Sequence, residues 1–125
     1  MAKTTDESQQ LGNQAESSIL SSIFEKQITF QRMLKQHEDL HLNPDFVKEQ
    51  SMMLFMEVSE ALRETPWKSW KKNQAWNVAG FREELADIQI VLINLIISSG
   101  MSPAEFFDIV STKQNLNFAR QAGGY

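Results

Sequence analysis

Cysteine is missing from all 125 residues, so neither a disulfide framework nor a thiolate metal site is available. Histidine is nearly as scarce, with only His37 and His41. The two share an i,i+4 spacing near the end of the first helix and are assigned no metal or catalytic role. Positive charge is in mild deficit, with 12 Lys and Arg against 16 Asp and Glu and a formal charge of −4. Such a chain does not read as a general nucleic-acid surface. Long apolar runs are lacking too. The stretch 88–97 is too short to span a bilayer, contains Gln89 and Asn94, and follows an acidic segment, so it reads as a buried helix. The opening MAKTTDESQQ lacks the apolar run of a signal peptide, and a cytoplasmic protein is expected.

What is present is helical periodicity. Residues 1–16 are polar and read as a flexible tail, leaving 17–125 as one domain. From Ser17 or Ser18 to about Leu40, apolar residues recur at helical spacing, and Gln27 and Gln31 continue the stripe of Leu20, Ile23 and Phe24. Asn43 and Pro44 form a cap and first helical residue for a second helix running to about Glu64. Its apolar face is expected to hold Val47, Leu54, Val58 and Ala61, flanked by Phe46 and Met53. A third helix, Phe81 to about Ser98, is apolar nearly all round after its first turn. Ser102, Pro103 and Glu105 then start a fourth helix that runs to about Ala122. The expected fold is all-α, a compact bundle of four to five helices. So small a bundle can hardly cover the third helix, so an obligate dimer is expected.

Four carboxylates carry the chemistry. Glu57 and Glu60 stand three residues apart, as do Glu84 and Asp87, each pair beside apolar sequence. On helices each pair shares a face, and Glu57, with Gln50, projects into the apolar stripe of its helix. Carboxylates brought together at the edge of a core need a partner, and an oxygen-only ligand set favours magnesium over zinc. Magnesium held this way keeps positions for water and phosphate oxygens, with Glu57 or Glu60 placed to orient a water or take its proton. The bland alternative is two solvated helix faces.

Phosphate-binding candidates lie elsewhere. Lys68, Lys71 and Lys72 sit in a long loop with Trp67, Trp70 and Trp76, while Lys113, Asn117 and Arg120 recur at roughly helical spacing. The tryptophans either stack on a base or close the core beneath the loop. Their interleaving with lysine does not outweigh the acidic balance that argues against nucleic acid.

The segments EVSEALRE and FREELADIQIVLINL, the tryptophan/lysine loop and the closing K-x3-N-x2-R-x3-GY resemble the all-α nucleoside triphosphate pyrophosphatases. The likeness is greatest to the dimeric dUTPase branch, which includes phage members, and MazG-like enzymes share the ExxE…ExxD arrangement. It spans Phe24 to Tyr125. The resemblance implies hydrolysis between the α and β phosphates, with magnesium held by Glu57, Glu60, Glu84 and Asp87. It gives base reading to Gln27 and, second, Gln31. Nucleotide contacts fall to Lys71, Lys113, Asn117, Arg120 and Tyr125, with Trp67 a stacking candidate. A phage-encoded member would act in the host cytoplasm.

The leading expectation is therefore a homodimeric, magnesium-dependent enzyme converting dUTP to dUMP and pyrophosphate, without nucleic-acid or membrane partners. A MazG-like pyrophosphohydrolase of other nucleotides, such as dCTP, is the first alternative. A non-enzymatic helical dimerisation module is the second.

Overall fold

The computed structural model describes residues 4–124, without the side chains of 4–6 and 13–17. Its helices are α1 (Thr4–Leu34), α2 (Pro44–Arg63), α3 (Val78–Ser98) and α4 (Pro103–Ala122). The fold is all-α, with four helices among the described residues.

Local signals set two helix starts where expected. Asn43 Oδ1 accepts from the amides of Asp45 (3.1 Å) and Phe46 (3.2 Å), with Pro44 as first residue of α2. Ser102 Oγ accepts from Glu105 N at 3.1 Å, and Pro103 opens α4. The first helix departs from expectation at both ends. Residues 4–16, read as a tail, are helical, because their Gln, Glu and Ala favour helix without any apolar stripe to advertise it. The other end comes at Leu34, not Leu40, because Lys35 turns left-handed (φ 51°). The third helix begins at Val78, three residues early, with Asn77 as its cap.

The segment between α1 and α2 is tied to the end of α3. Leu42 N donates to Ser98 O (2.8 Å), and the buried Ser98 Oγ donates to Leu40 O (2.7 Å). Gly100 leaves α3 with φ +83°, and a Cβ there would stand 2.7 Å from the His41 ring. Glycine is thus required twice over, by conformation and by space.

Helices α2 and α3 pack antiparallel along their length, so Gln50 meets Asn94 near one end and Glu64 meets Asn77 at the other. Inward-facing positions on α2 are Phe46, Gln50, Leu54, Glu57 and Ala61. Val47, Met53 and Val58, expected on the covered face, are exposed in the protomer, as are Met52, Phe55 and Met56. The helix is apolar on more than one side, and α3 covers one of them.

The core is Phe24, Ile93 and Ile96, with Leu20, Leu92, Ile97, Met101 and Phe106 packed round it. Helix α1 joins this core through Phe24, and its Ile28 shares two cavities with Ile97 of α3. Helix α4 turns from α3 by 108° and lies chiefly on α1, where the Phe24 and Phe106 rings are 6.5 Å apart. No residue of α4 is fully buried. The surface measures 10012 Å², where a compact monomer of this mass presents about 6,800 Å². No single described helix is long and apolar enough to cross a membrane.

Candidate functional site

The antiparallel register brings the carboxylates of α2 and α3 together. Oxygens of Glu57, Glu60 and Glu84 all lie within 4.8 Å of one another, each residue being half-buried. Asp87 is more exposed and stands outside that trio, yet its charge acts on both Glu57 and Glu84. Glu57 Oε2 and Glu84 Oε2 are buried and receive no hydrogen bond. Unsatisfied buried acceptors of like charge are unfavourable, so the group needs a proton or a cation.

Electrostatics point the same way. Burial holds the Glu57 carboxyl above its ordinary range, and the charges of Glu60, Asp87 and Glu84 add to the effect. Glu84 is likewise raised by burial first, then by Glu60 and Asp87, with a smaller push from Glu64. A carboxyl–carboxyl hydrogen bond can form between Glu57 and either neighbour only once one of them is protonated. At neutral pH a divalent cation is the better partner. The all-oxygen donor set fits a hard ion such as magnesium, and Glu57, Glu60 and Glu84 are the residues that would hold it, with Asp87 at the rim.

The loop from Glu64 to Asn77 is fixed at both ends. Asn77 Nδ2 donates to Glu64 Oε2 at 2.6 Å, while Asn77 Oδ1 accepts from Gly80 N. A Cβ on Gly80 would lie 2.6 Å from Asn77 Nδ2 and 2.9 Å from Glu64 Oε2, so a glycine leaves room for that bridge. Within the loop, Gln74 clamps a turn: its Nε2 donates to Lys68 O and Lys71 O, and its Oε1 accepts from Lys68 N. The clamp shapes an open cavity of about 530 Å³ lined by Arg63, Lys68, Lys71, Trp67 and Gln74, without a carboxylate. Arg63 is one turn beyond Glu60, so this cationic cup adjoins the acidic trio.

Trp67, Trp70 and Trp76 are all exposed in the protomer, so none of them closes the core. Trp67 and Trp70 meet edge to face at 5.6 Å, and Trp76 meets Phe81 at 5.5 Å.

Gln27 and Gln31 both turn inward from α1. Gln31 opens on a cavity of about 310 Å³ beside Ile28, His37, Leu40 and Ile97, toward the far end of α3 from Glu84. Gln27 lies one turn before Gln31, and its Nε2 is buried without an acceptor. Lys113, Asn117 and Arg120 are exposed on α4, which springs from the opposite end of α3 and rests on α1. Among the described residues no ion pair joins them to a carboxylate. One protomer thus unites the trio and the loop cup but does not bring α4 onto them. Tyr125 lies outside the described residues. His37 pairs with Glu49 (2.9 Å), away from the trio.

Sequence reasoning missed Glu64, Asn77, Arg63 and Gln74 as parts of the site's frame. The available signal was Glu64 one turn past Glu60, at the edge of the same stripe.

A family model described as dUTPase matches residues 19–118, most of the chain and both acidic pairs. Comparison with curated proteins and with solved structures gives no significant match to either. With the helical fold and the carboxylate trio, the match shows that the chain belongs to this dUTPase family of the all-α nucleoside triphosphate pyrophosphatase, MazG-like superfamily.

Proposed function

We propose that the protein is a magnesium-dependent dUTP diphosphatase that converts dUTP and water to dUMP and pyrophosphate, working as a homodimer. The observation that carries this is the trio itself: two buried carboxylate oxygens without donors, among oxygens within 4.8 Å. A bound magnesium ion would offset charge on the phosphoryl oxygens and lower the pKa of a water. The chain's own groups complete the chemistry. Glu57 and Glu60 orient the attacking water, and the raised basicity of Glu57 suits it to take the proton. Lys71, with Arg63 and Lys68 of the same cup, receives the polyphosphate tail, and Trp67 lies at its edge for stacking. Gln27 reads the base, because a glutamine amide offers both a donor and an acceptor.

Lys113, Asn117 and Arg120 bind the nucleotide from the partner subunit. The reason is geometric: α4 rests on α1, whereas the trio lies between α2 and α3. The surface excess of roughly 3,000 Å² over a compact monomer falls in the range of obligate dimer interfaces. Exposed Phe55, Met56, Phe30 and Met33 supply apolar area for it.

Incubation with each deoxynucleoside triphosphate and magnesium, with product analysis, tests the reading. Monophosphate and pyrophosphate from dUTP in preference to the others support it. A preference for dCTP moves the assignment to the broader MazG-like reading, and no turnover of any nucleotide removes the enzyme.

A further inference from the structure

The loop that carries the cationic cup leaves α2 at Glu64 and enters α3 at Asn77, the caps of those two helix ends. Two bonds join these residues directly. Asn77 N donates to Glu64 O at 2.9 Å, and Asn77 Nδ2 donates to Glu64 Oε2 at 2.6 Å. The Asn77 amide is used at both ends, because its Oδ1 accepts from Gly80 N at 3.1 Å and caps α3. One bond fixes a distance between the helix ends, and a second beside it fixes their orientation as well.

This bridge lies between two groups that must act together. On its inner side, Glu60 stands one turn before Glu64, and Glu84 one turn after Gly80. The charge of Glu64 is felt at Glu84. On its outer side, Arg63 and Thr65, the neighbours of Glu64, both line the cup, as does Ala75. Glu64 itself stands outside the set of oxygens that converge within 4.8 Å.

We propose that Glu64 is a positioning residue of the carboxylate centre and not one of its ligands. Its bond to Asn77 sets the spacing of α2 and α3 at the mouth of the seam, and with it the separation of Glu60 from Glu84 and the seat of the cup beside them. Ligands drawn from two helices hold a cation well only where outer partners keep those helices in one arrangement. The inference rests on the metal-dependent hydrolase reading above, but its first readout is metal binding without nucleotide.

Calorimetric titration with magnesium alone, followed by KM for dUTP, tests it on wild type, Glu64→Gln, Glu64→Ala, Asn77→Ser and the double variant Glu64→Ala/Asn77→Ser. Glu64→Gln keeps an acceptor for Asn77 Nδ2 and is expected to bind magnesium as wild type does. Glu64→Ala is expected to weaken magnesium binding about tenfold and to raise KM. Asn77→Ser keeps an acceptor for Gly80 N, so α3 stays capped; it loses the bridge and should match Glu64→Ala. Should Glu64→Ala not fold, Asn77→Ser still breaks the same bond. The double variant is expected to be no weaker than either single, because both remove one interaction. Glu64→Gln as weak as Glu64→Ala would make Glu64 a ligand or a needed charge, and overturns the inference. Additive losses in the double variant also overturn it, as do lower melting temperatures with magnesium affinity unchanged. The predicted pattern of affinities in a protein that hydrolyses no triphosphate leaves the inference standing and removes the enzymatic reading instead.

Discussion

Glu57 has a buried oxygen without a donor and three other carboxylates acting on it, so a metal-free protein is strained there. Its proton is held more tightly in the folded chain than in the unfolded one, since the folded-state pKa is raised. Below the ordinary glutamate value of 4.5 the residue costs nothing, and stability is lost as the pH climbs from there through the raised value. Glu57→Gln escapes this loss. Without metal, its melting temperature is expected to match wild type at acidic pH and to exceed it increasingly toward neutrality. Paired thermal melts in chelator across the pH range check this, and a difference that stays flat contradicts it. The same substitution is expected to lower magnesium-dependent turnover by more than about 10²-fold. Asp87→Asn is expected to do likewise if its rim position serves the ion, as steady-state kinetics will show. A helical interaction module without catalysis would show the gain in stability and no activity to lose.

The cap of α3 and the loop before it answer to different substitutions. Asn77→Ala removes the acceptor for Gly80 N and the donor to Glu64. The expected loss is about 1 kcal/mol, read by denaturant unfolding. Gln74→Ala frees the turn that carries Lys68 and Lys71, so KM for the triphosphate is expected to rise several-fold while the melting temperature changes little. Unchanged KM would mean that the cup does not receive phosphate. These elements also mark how far the sequence could be read. The starts of α2 and α4 were legible because Asn43–Pro44 and Ser102–Pro103 act within a few residues of themselves. The end of α1 was not, because the left-handed turn at Lys35 leaves no mark in a periodic pattern. Nor was the helical start at Thr4, which has no apolar stripe. The acidic pairs were legible from spacing and apolar neighbours. The Gln50–Asn94 pair was not, because its partners are 44 residues apart and meet only through the α2–α3 register.

At the scale of the whole molecule, the protomer keeps α4 on α1 and the carboxylates between α2 and α3. A site completed across a dimer makes a specific demand. Mixing Glu57→Gln subunits with Arg120→Ala subunits, each nearly inactive alone, should restore about a quarter of wild-type activity, because half the dimers are mixed and each has one intact site. No recovery after verified subunit exchange would place α4 and the carboxylates of each site on one chain. The melting temperature should also rise with protein concentration, as folding coupled to association requires. The central claim is that the carboxylate seam is a metal-dependent pyrophosphohydrolase centre. Its most direct measurement is pyrophosphate release from dUTP by wild type and Glu57→Gln, with magnesium and with chelator. Release by wild type with magnesium alone, and by the variant under neither condition, is the predicted result. Equal release by the two proteins, or release by wild type that is indifferent to chelator, would contradict the account.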